Sequence, residues 1–166
     1  MADAVPELIV ASSCSKNFGL YRDRVGAVAV VSGTAKLSES LSSQLMNVIR
    51  GIYSMPPNHG GAIVKTILGD ETLTQAWLEE LGEMRDRING MRDAMSTKLA
   101  ERTGSDRFDF IREQRGMFSF LGIDKEQIAT LQKDASIYIV DSSRINVAGV
   151  NTSNIDYVCD AIAAII

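Results

Sequence analysis

The chain has 166 residues, of which 45% are hydrophobic and 23% charged, and its formal net charge is −4. This composition predicts a globular protein, and the acidic balance argues against a nucleic-acid partner, which needs a basic surface. No run of about 18 apolar residues could span a membrane, and one histidine with two distant cysteines predicts neither a metal site nor a disulfide framework. We therefore expect a cytoplasmic protein without a metal.

Two apolar runs near the N-terminus predict strands. Residues 8–11 and 25–31 are apolar throughout rather than alternating. This pattern is typical of strands that are buried on both faces of a sheet. The chain offers no comparable strand nearby, which indicates that their neighbours are missing.

The middle of the chain predicts three helices. The first covers residues 36–52 and ends before two prolines, and the second follows Asn58 as its cap. In the third and longest, apolar side chains recur every three or four residues: Leu73, Trp77, Leu81, Met84, Ile88, Met91, Met95 and Leu99. Such a seam fits a coiled coil or a core helix, with Glu83 and Arg87 paired on the wet side. We favour a core helix that connects two lobes.

After Gly104 the pattern changes to short strands. Four are predicted in two pairs, residues 108–111 with 117–120 and residues 137–140 with 144–147. A helix over 124–134 separates the pairs, and Ser153 is the expected cap of a last amphipathic helix. This part therefore predicts a small α+β lobe.

One motif suggests serine acyl transfer. Residues 13–16 read Ser-Cys-Ser-Lys, which matches the S-x-x-K motif of penicillin-binding enzymes. Those enzymes also need S-D-N and K-T-G motifs. The candidates at residues 105–107 and 65–67 end in Arg and Ile instead. The sequence therefore disfavours this chemistry.

A different family accounts for more of the chain. Four segments, at residues 13–26, 53–60, 116–120 and 143–149, resemble the class I aminotransferases that act on aspartate and aromatic amino acids. Among them are Ser-x-x-Lys-Asn-Phe-Gly-Leu-Tyr followed by Arg-Val-Gly, and Ser-Arg-Ile-Asn-Val-Ala-Gly. The resemblance covers essentially the whole chain. It implies pyridoxal phosphate as cofactor, and transfer of the amino group of aspartate or an aromatic amino acid to a 2-oxo acid.

The resemblance also implies an incomplete α/β fold. Residues 1–70 would be the C-terminal part of the large cofactor-binding domain, with two strands and helices. Residues 71–103 would be a long connecting helix, and residues 104–166 a small α+β domain. The family's complete enzymes are expected to be homodimers.

Three residues would hold the cofactor by this resemblance. Lys16 would bind it covalently and act as the general base, and its place after an apolar strand offers the desolvation that a lysine nucleophile needs. Ser13 and Arg24 would bind the phosphate. The alternatives are a surface lysine at a turn, a strand-end turn residue for Ser13, and an ion pair between Arg24 and a carboxylate such as Asp23.

Three further residues would bind the substrate. Arg144 resembles the arginine that binds the α-carboxylate; its alternative is an internal pair with Asp or Glu. Phe118 resembles the pocket aromatic, or is simply core. Arg50 resembles the arginine that reaches across the dimer to a second carboxylate. Ile52 and Met55 stand where relatives often have asparagine, which favours aromatic as well as dicarboxylic substrates.

Relatives of this family carry a large N-terminal portion, with the aromatic ring and aspartate that contact the pyridine ring. We therefore expect this chain to be a C-terminal fragment whose two apolar strands are edges prone to aggregation. Two hypotheses follow. In the first, the chain belongs to an aminotransferase, although the isolated 166-residue polypeptide is expected to be inactive. In the second, it is a catalytically inactive truncated fragment that acts at most as a structural or interaction module.

Overall fold

The computed structural model describes residues 4–166, which divide into two compact units. The first unit ends at Glu79 and the second runs from Glu80 to Ile166. This division falls inside the longest helix. The domain limits expected at residues 70 and 103 stay a prediction, and residues 1–3 of the expected first domain lie outside the described residues.

The first unit contains the two predicted strands. β1 (Leu8–Ser13) pairs antiparallel with β2 (Gly26–Val31), in the register Leu8↔Val31 to Ser13↔Gly26. The expectation that both faces of these strands are buried is wrong for this chain, since Ile9 is 71% exposed and Val28 46% exposed. The reason is that this sheet has two strands only, so little covers its faces.

Two helices complete the first unit up to the long helix. α1 (Ala35–Tyr53) begins after Thr34, whose side chain accepts a hydrogen bond from the Leu37 amide, and it ends where Ser54 takes a positive φ of 62°. α2 (His59–Gly69) follows Asn58 as predicted, although the Asn58 side chain makes no capping hydrogen bond. The proline pair at 56–57 therefore separates two helices that the sequence already distinguishes.

The longest helix, α3 (Glu71–Thr103), has 33 residues and extends about 50 Å at the usual rise. Its apolar seam is buried only toward the C-terminal end, where Met95 and Leu99 are fully buried, whereas Leu73 is 43% exposed. The predicted Glu83–Arg87 pair is wrong. Arg87 instead donates hydrogen bonds to the carbonyl oxygens of residues 148 and 150.

The second unit is a small α+β lobe, as predicted. After α3 it contains α4 (Phe110–Glu113), β3 (Phe118–Phe120), α5 (Lys125–Ala135), β4 (Arg144–Asn146), a 3-10 turn (Val147–Gly149) and α6 (Ile155–Ala163). Its sheet consists of β3 and β4 paired antiparallel. The sequence predicts two strand pairs, but the structure contains one. It pairs β3, from the first expected pair, with β4, from the second.

Residues 108–111 and 137–140 are not strands, which corrects the sequence-based expectation. Phe108 and Ile111 are both buried and lie three residues apart, and the Ile111 amide donates to the Phe108 carbonyl. That spacing is typical of a helical turn. The apolar-polar-apolar order of Phe-Asp-Phe resembles a strand pattern, but the segment does not form a strand. The expected cap Ser153 is also replaced, by Asn154.

The hydrophobic core lies in the second unit. Every buried hydrophobic side chain among residues 4–166 belongs to it: Met95, Leu99, Phe108, Ile111, Leu121, Ile123, Ile128, Leu131, Ile145, Val147, Val150, Ile155, Cys159 and Ile162. Helices α5 and α6 and the C-terminal part of α3 supply much of this core. None of the helices in the described part of the chain combines the length and the apolarity that a membrane span requires.

Candidate functional site

The loop between β1 and β2, residues 14–25, carries the expected cofactor lysine; we call it the hairpin loop. Ser13 ends β1 and is paired with Gly26 at the start of β2. A Cβ atom on Gly26 would collide with the Ser12 carbonyl oxygen, so the two strands approach here as only glycine permits. Ser13 and Arg24 therefore emerge at the same end of the strand pair.

Lys16 lies at a turn of the hairpin loop and is exposed. The Gly19 amide donates to the Lys16 carbonyl at 3.2 Å, and Gly19 has a φ of 68°. The Lys16 Nζ lies 5.4 Å from the centroid of the Tyr21 ring. The desolvation expected from the neighbouring apolar strand is thus not provided by the residues that the structure describes.

Trp77 of α3 fixes the loop next to Lys16. Its indole Nε1 donates to the Asn17 carbonyl at 2.7 Å, and its ring stacks on Phe18 with centroids 4.4 Å apart. From the sequence, Trp77 is predicted only as a member of the apolar seam, and this contact is not predicted. The signal would have been that a buried indole N–H requires an acceptor.

Ser13 and Arg24 make few bonds with the rest of the chain. The Ser13 hydroxyl lies 3.0 Å from the Ser15 hydroxyl and accepts from the Ser15 amide at 3.2 Å, which is a turn at the strand end. Arg24 has a positive φ of 51° and donates to the Tyr21 carbonyl at 3.1 Å. No carboxylate within residues 4–166 forms an ion pair with Arg24, so the expected alternative for Arg24 is not what the structure contains.

Asp23, the neighbour of Arg24, is engaged elsewhere. Its Oδ1 lies 2.8 Å from the Nδ1 of His59, the first residue of α2. The sequence predicts Asp23 only as an alternative ion-pair partner of Arg24, and it does not predict a contact with His59. Their separation of 36 positions explains this, because no local pattern connects them.

Arg144 and Phe118 lie together in the second unit. They belong to the paired strands β4 and β3, and the guanidinium carbon of Arg144 lies 4.6 Å from the centroid of the Phe118 ring. Phe118 is half-buried and Arg144 is exposed. Within the described part of the chain Arg144 has no acidic partner, so an internal ion pair does not occupy it.

Arg92 of α3 holds β3 from inside the core. It is 1% exposed and donates to the carbonyl oxygens of Ile111 at 3.1 Å and of Gly116 and Phe118 at 2.6 Å, and also to the Ser119 hydroxyl. Burial, and secondarily the charge of Arg115, lower the pKa of Arg92. No role is predicted for Arg92 from the sequence, although an arginine between the apolar positions 88, 91 and 95 is a signal of a buried cation.

Arg50 lies in the last turn of α1 and is exposed. The neighbouring Ile52 and Met55 are 70% and 83% exposed. Among the described residues, no acidic side chain is paired with Arg50. Its guanidinium is therefore open to a partner outside this chain.

The expected site residues fall into two groups. Ser13, Lys16, Arg24 and Arg50 belong to the first unit, with the first three grouped around the hairpin loop. Phe118 and Arg144 belong to the second unit. Within residues 4–166, no cluster of three or more His, Cys, Asp or Glu side chains could hold a metal ion.

The chain is similar in sequence to known aspartate and aromatic-amino-acid aminotransferases. The chain is 48% identical over 160 residues to the aspartate aminotransferase of Haemophilus influenzae, covering 96% of this chain and 40% of that protein. It is 44% identical over 164 residues to the aromatic-amino-acid aminotransferase of Pseudomonas aeruginosa, covering 99% of this chain and 41% of that protein. The chain thus spans about 40% of the length of these curated relatives.

Solved structures agree with the sequence matches. The crystal structure of the aromatic-amino-acid aminotransferase from Burkholderia pseudomallei, covalently bound to pyridoxal phosphate, superposes with a TM-score of 0.90 and 45% identity, over 99% of this chain and 41% of that one. The fold is therefore that of part of an α/β aminotransferase. The family model described as aminotransferase class I and II matches residues 1–162. The chain belongs to the class I and II aminotransferase family.

Proposed function

We propose that this chain serves amino transfer from aspartate or an aromatic amino acid to a 2-oxo acid, with pyridoxal phosphate bound at Lys16. One observation carries the proposal. Lys16 lies on a loop with the Ser13 hydroxyl beside its start and the Arg24 guanidinium near its end. The chain that carries this loop matches aspartate and aromatic-amino-acid aminotransferases over nearly its whole length.

The side chains present fit this cofactor. An aldehyde requires an amine, and Lys16 offers one that no carboxylate of residues 4–166 neutralises. A phosphate dianion requires a cation and hydroxyl donors, and Arg24 and Ser13 supply these. When bound, pyridoxal phosphate supplies the electron sink for the reaction.

Lys16 would have two tasks. Its amine would hold the cofactor covalently at the aldehyde carbon, and the amine released by the substrate would then take the proton from the substrate Cα. A positioned general base accelerates such a transfer by roughly 10²–10⁴-fold. The exposure of Lys16 in this chain means that the desolvation favouring its neutral form must come from outside the described residues.

Arg144 would bind the substrate through its α-carboxylate. A guanidinium can donate two parallel hydrogen bonds to one carboxylate, which fixes both distance and orientation. The Phe118 ring lies against the same guanidinium at 4.6 Å and restricts its rotation. Phe118 would thus position Arg144 as well as line the pocket.

Arg50 would bind the second carboxylate of aspartate in the partner subunit of a homodimer. Its exposure and the lack of an acidic partner among the described residues support this role. The exposed Ile52 and Met55 beside it would give an apolar wall that also accepts an aromatic side chain. A cytoplasmic location is proposed as well, in line with a relative 42% identical, the cytoplasmic aspartate aminotransferase of Dictyostelium discoideum.

Borohydride reduction tests the cofactor assignment. The polypeptide loaded with pyridoxal phosphate is reduced, digested and mapped by mass spectrometry, and the pyridoxyl group is expected on Lys16. Lys36 and Lys65 in the same unit are internal controls. A label mainly on either control, or an unchanged label in Lys16→Ala, contradicts the assignment.

The alternative is a structural or interaction module without catalysis. The exposure of apolar side chains such as Ile9 and Met46 favours this alternative, since such surfaces commonly mark interfaces. Incubation with aspartate or tyrosine, 2-oxoglutarate and pyridoxal phosphate separates the two. Glutamate that is formed by the unaltered polypeptide and lost in Lys16→Ala supports catalysis by this chain, and none formed supports a chain without catalysis of its own.

A further inference from the structure

We propose that His59 is a positioning residue for phosphate binding: it holds Asp23 so that the carboxylate does not neutralise the adjacent Arg24. This inference rests on the proposed role of Arg24 as a ligand of the pyridoxal phosphate. Neither His59 nor Asp23 would itself contact the phosphate.

The contact between the two residues is direct. His59 Nδ1 lies 2.8 Å from Asp23 Oδ1, which is a normal hydrogen-bond distance. Nδ1 donates to the carboxylate whether the ring is protonated or is neutral with its proton on Nδ1. The Asp23 side chain is 27% exposed, so the carboxylate is partly desolvated and gains from this donor.

The backbone is built for this close approach. Gly60, which follows His59, is buried, and a Cβ atom there would lie 2.7 Å from the Cβ of Asp23 and 3.1 Å from a methyl carbon of Val25. Any larger residue at position 60 would push the start of α2 away from the hairpin loop. The glycine therefore brings His59 within reach of Asp23.

Adjacent residues of opposite charge can form an ion pair in this chain. Arg85 and Asp86 are adjacent and exposed, and Arg85 Nε lies 2.9 Å from Asp86 Oδ1. Asp23 and Arg24 are also adjacent, yet Asp23 bonds to His59 and Arg24 donates to the Tyr21 carbonyl. The Asp23 carboxylate is thus engaged by His59, and the Arg24 guanidinium has no acidic partner within residues 4–166.

Ligand binding to the 166-residue polypeptide tests the inference. Trp77 is the only tryptophan, and it contacts Asn17 and Phe18 beside Lys16, so its fluorescence reports binding at the hairpin loop. Pyridoxal phosphate and pyridoxal are titrated in parallel, because only the first carries the phosphate. The variants are His59→Ala, Asp23→Ala, the double variant and Arg24→Ala, with Asp86→Ala as the matched control.

We expect His59→Ala to weaken pyridoxal phosphate binding about three- to fivefold, the size of an exposed ion pair's influence, and to leave pyridoxal binding unchanged. The double variant should regain the lost affinity, since the competing carboxylate is gone. Asp86→Ala should change neither ligand's affinity.

Equal weakening of both ligands in His59→Ala, or no recovery in the double variant, overturns the inference. If Arg24→Ala abolishes the preference for the phosphorylated ligand while His59→Ala leaves it intact, the inference alone fails. If the unaltered polypeptide binds both ligands equally and Arg24→Ala has no effect, the proposed phosphate site fails, and this inference fails with it.

Discussion

The arginines of this chain differ in what surrounds each guanidinium. Arg92 is buried and donates to three carbonyl oxygens and a hydroxyl, so it has little capacity left for a ligand. Arg102 is paired with Asp156 and Asp160. Arg144, by contrast, lies against an aromatic ring and has no acidic partner within residues 4–166. Because an arginine stays charged at any physiological pH, such a guanidinium is the one that gains most from an anionic ligand.

Substitution of Arg144 and Arg50 separates two kinds of carboxylate recognition. In a catalytically active enzyme that contains this sequence, Arg144→Ala should reduce kcat/KM for every amino acid alike, since all share the α-carboxylate. The reduction should correspond to a loss of about 1.5–3 kcal/mol in transition-state stabilisation. Arg50→Ala should penalise aspartate and spare phenylalanine. Steady-state kinetics with both substrates measure this. Equal losses for aspartate and phenylalanine in Arg50→Ala would show that Arg50 does not bind the side-chain carboxylate.

The cysteines are expected to differ in reactivity. Burial raises the pKa of the Cys159 thiol from 9.0 to about 11, and Cys14 is half-buried. At pH 8 a thiol reagent should therefore modify Cys14 faster than Cys159 in the native state. The Cys14→Ser variant isolates Cys159, and its labelling rate should rise sharply in urea. A native rate equal to the rate in urea would contradict the burial of this thiol.

The raised pKa of Cys159 also predicts that the free energy of unfolding decreases at alkaline pH. The folded state keeps the proton more tightly than the unfolded state, so this contribution is complete below pH 9 and is lost as pH rises toward about 11. Urea unfolding at pH 8 and pH 10.5 should show that the free energy of unfolding falls with pH, and that it falls less in Cys159→Ala than in the unaltered protein. An equal loss in both proteins would assign the effect to other groups.

The helices of this fold are predictable from the sequence, and the short strands are not. α1, α2 and α5 lie within a residue or two of their expected limits, because periodicity, prolines and the Asn58 cap are local signals. The pairing of β3 with β4 joins residues 24 to 28 positions apart, which hairpin rules do not reach. The local residue pattern at 108–111 and 137–140 predicts strands, but neither segment forms one.

The same limit applies to the candidate site. The hairpin loop and Arg144 were found through local motifs, and their roles stay predictions. Arg92 was missed because its acceptors are distant backbone carbonyls, the nearest of them 19 positions away. His59 and Asp23 were missed because their contact depends on how α2 meets the loop.

The capping box of α5 permits a test of a single helix end. The Asp124 side chain accepts from the Gln127 amide at 2.8 Å, and the Gln127 side chain accepts from the Asp124 amide at 3.0 Å. Asp124→Ala should lower the free energy of unfolding by about 1 kcal/mol. Gln132→Ala, at an exposed position of the same helix, is the control and should be nearly neutral. Equal effects in urea unfolding would mean that the cap contributes little.

Apolar burial is uneven between the two units. All the buried hydrophobic side chains of the described residues belong to the second unit. The first unit instead exposes Ile9, Val28, Met46 and Ile52. Since apolar burial is the main favourable contribution to folding, the second unit should be much the more stable when this 166-residue polypeptide is studied alone.

Hydrogen exchange should resolve this difference. In the 166-residue polypeptide, amides in the C-terminal part of α3 and in α5 and α6 should exchange slowly, because they open only with the core. Amides of β1, β2 and α1 should exchange fast, because little apolar surface is lost when they open. Mass spectrometry of peptides after timed exchange gives both sets in one experiment.

A pair of variants then tests whether the core is the cause. Leu99→Ala removes a fully buried side chain and should cost about 2–5 kcal/mol, which abolishes slow exchange across the second unit. Leu37→Ala in α1 removes a side chain that is 39% exposed and should leave that protection unchanged. Slow exchange in β1 and β2 equal to that in α6 would contradict the uneven distribution of stability. Protection of β1 and β2 that grows with protein concentration would instead show that self-association covers their apolar faces, as exposed strand edges tend to do.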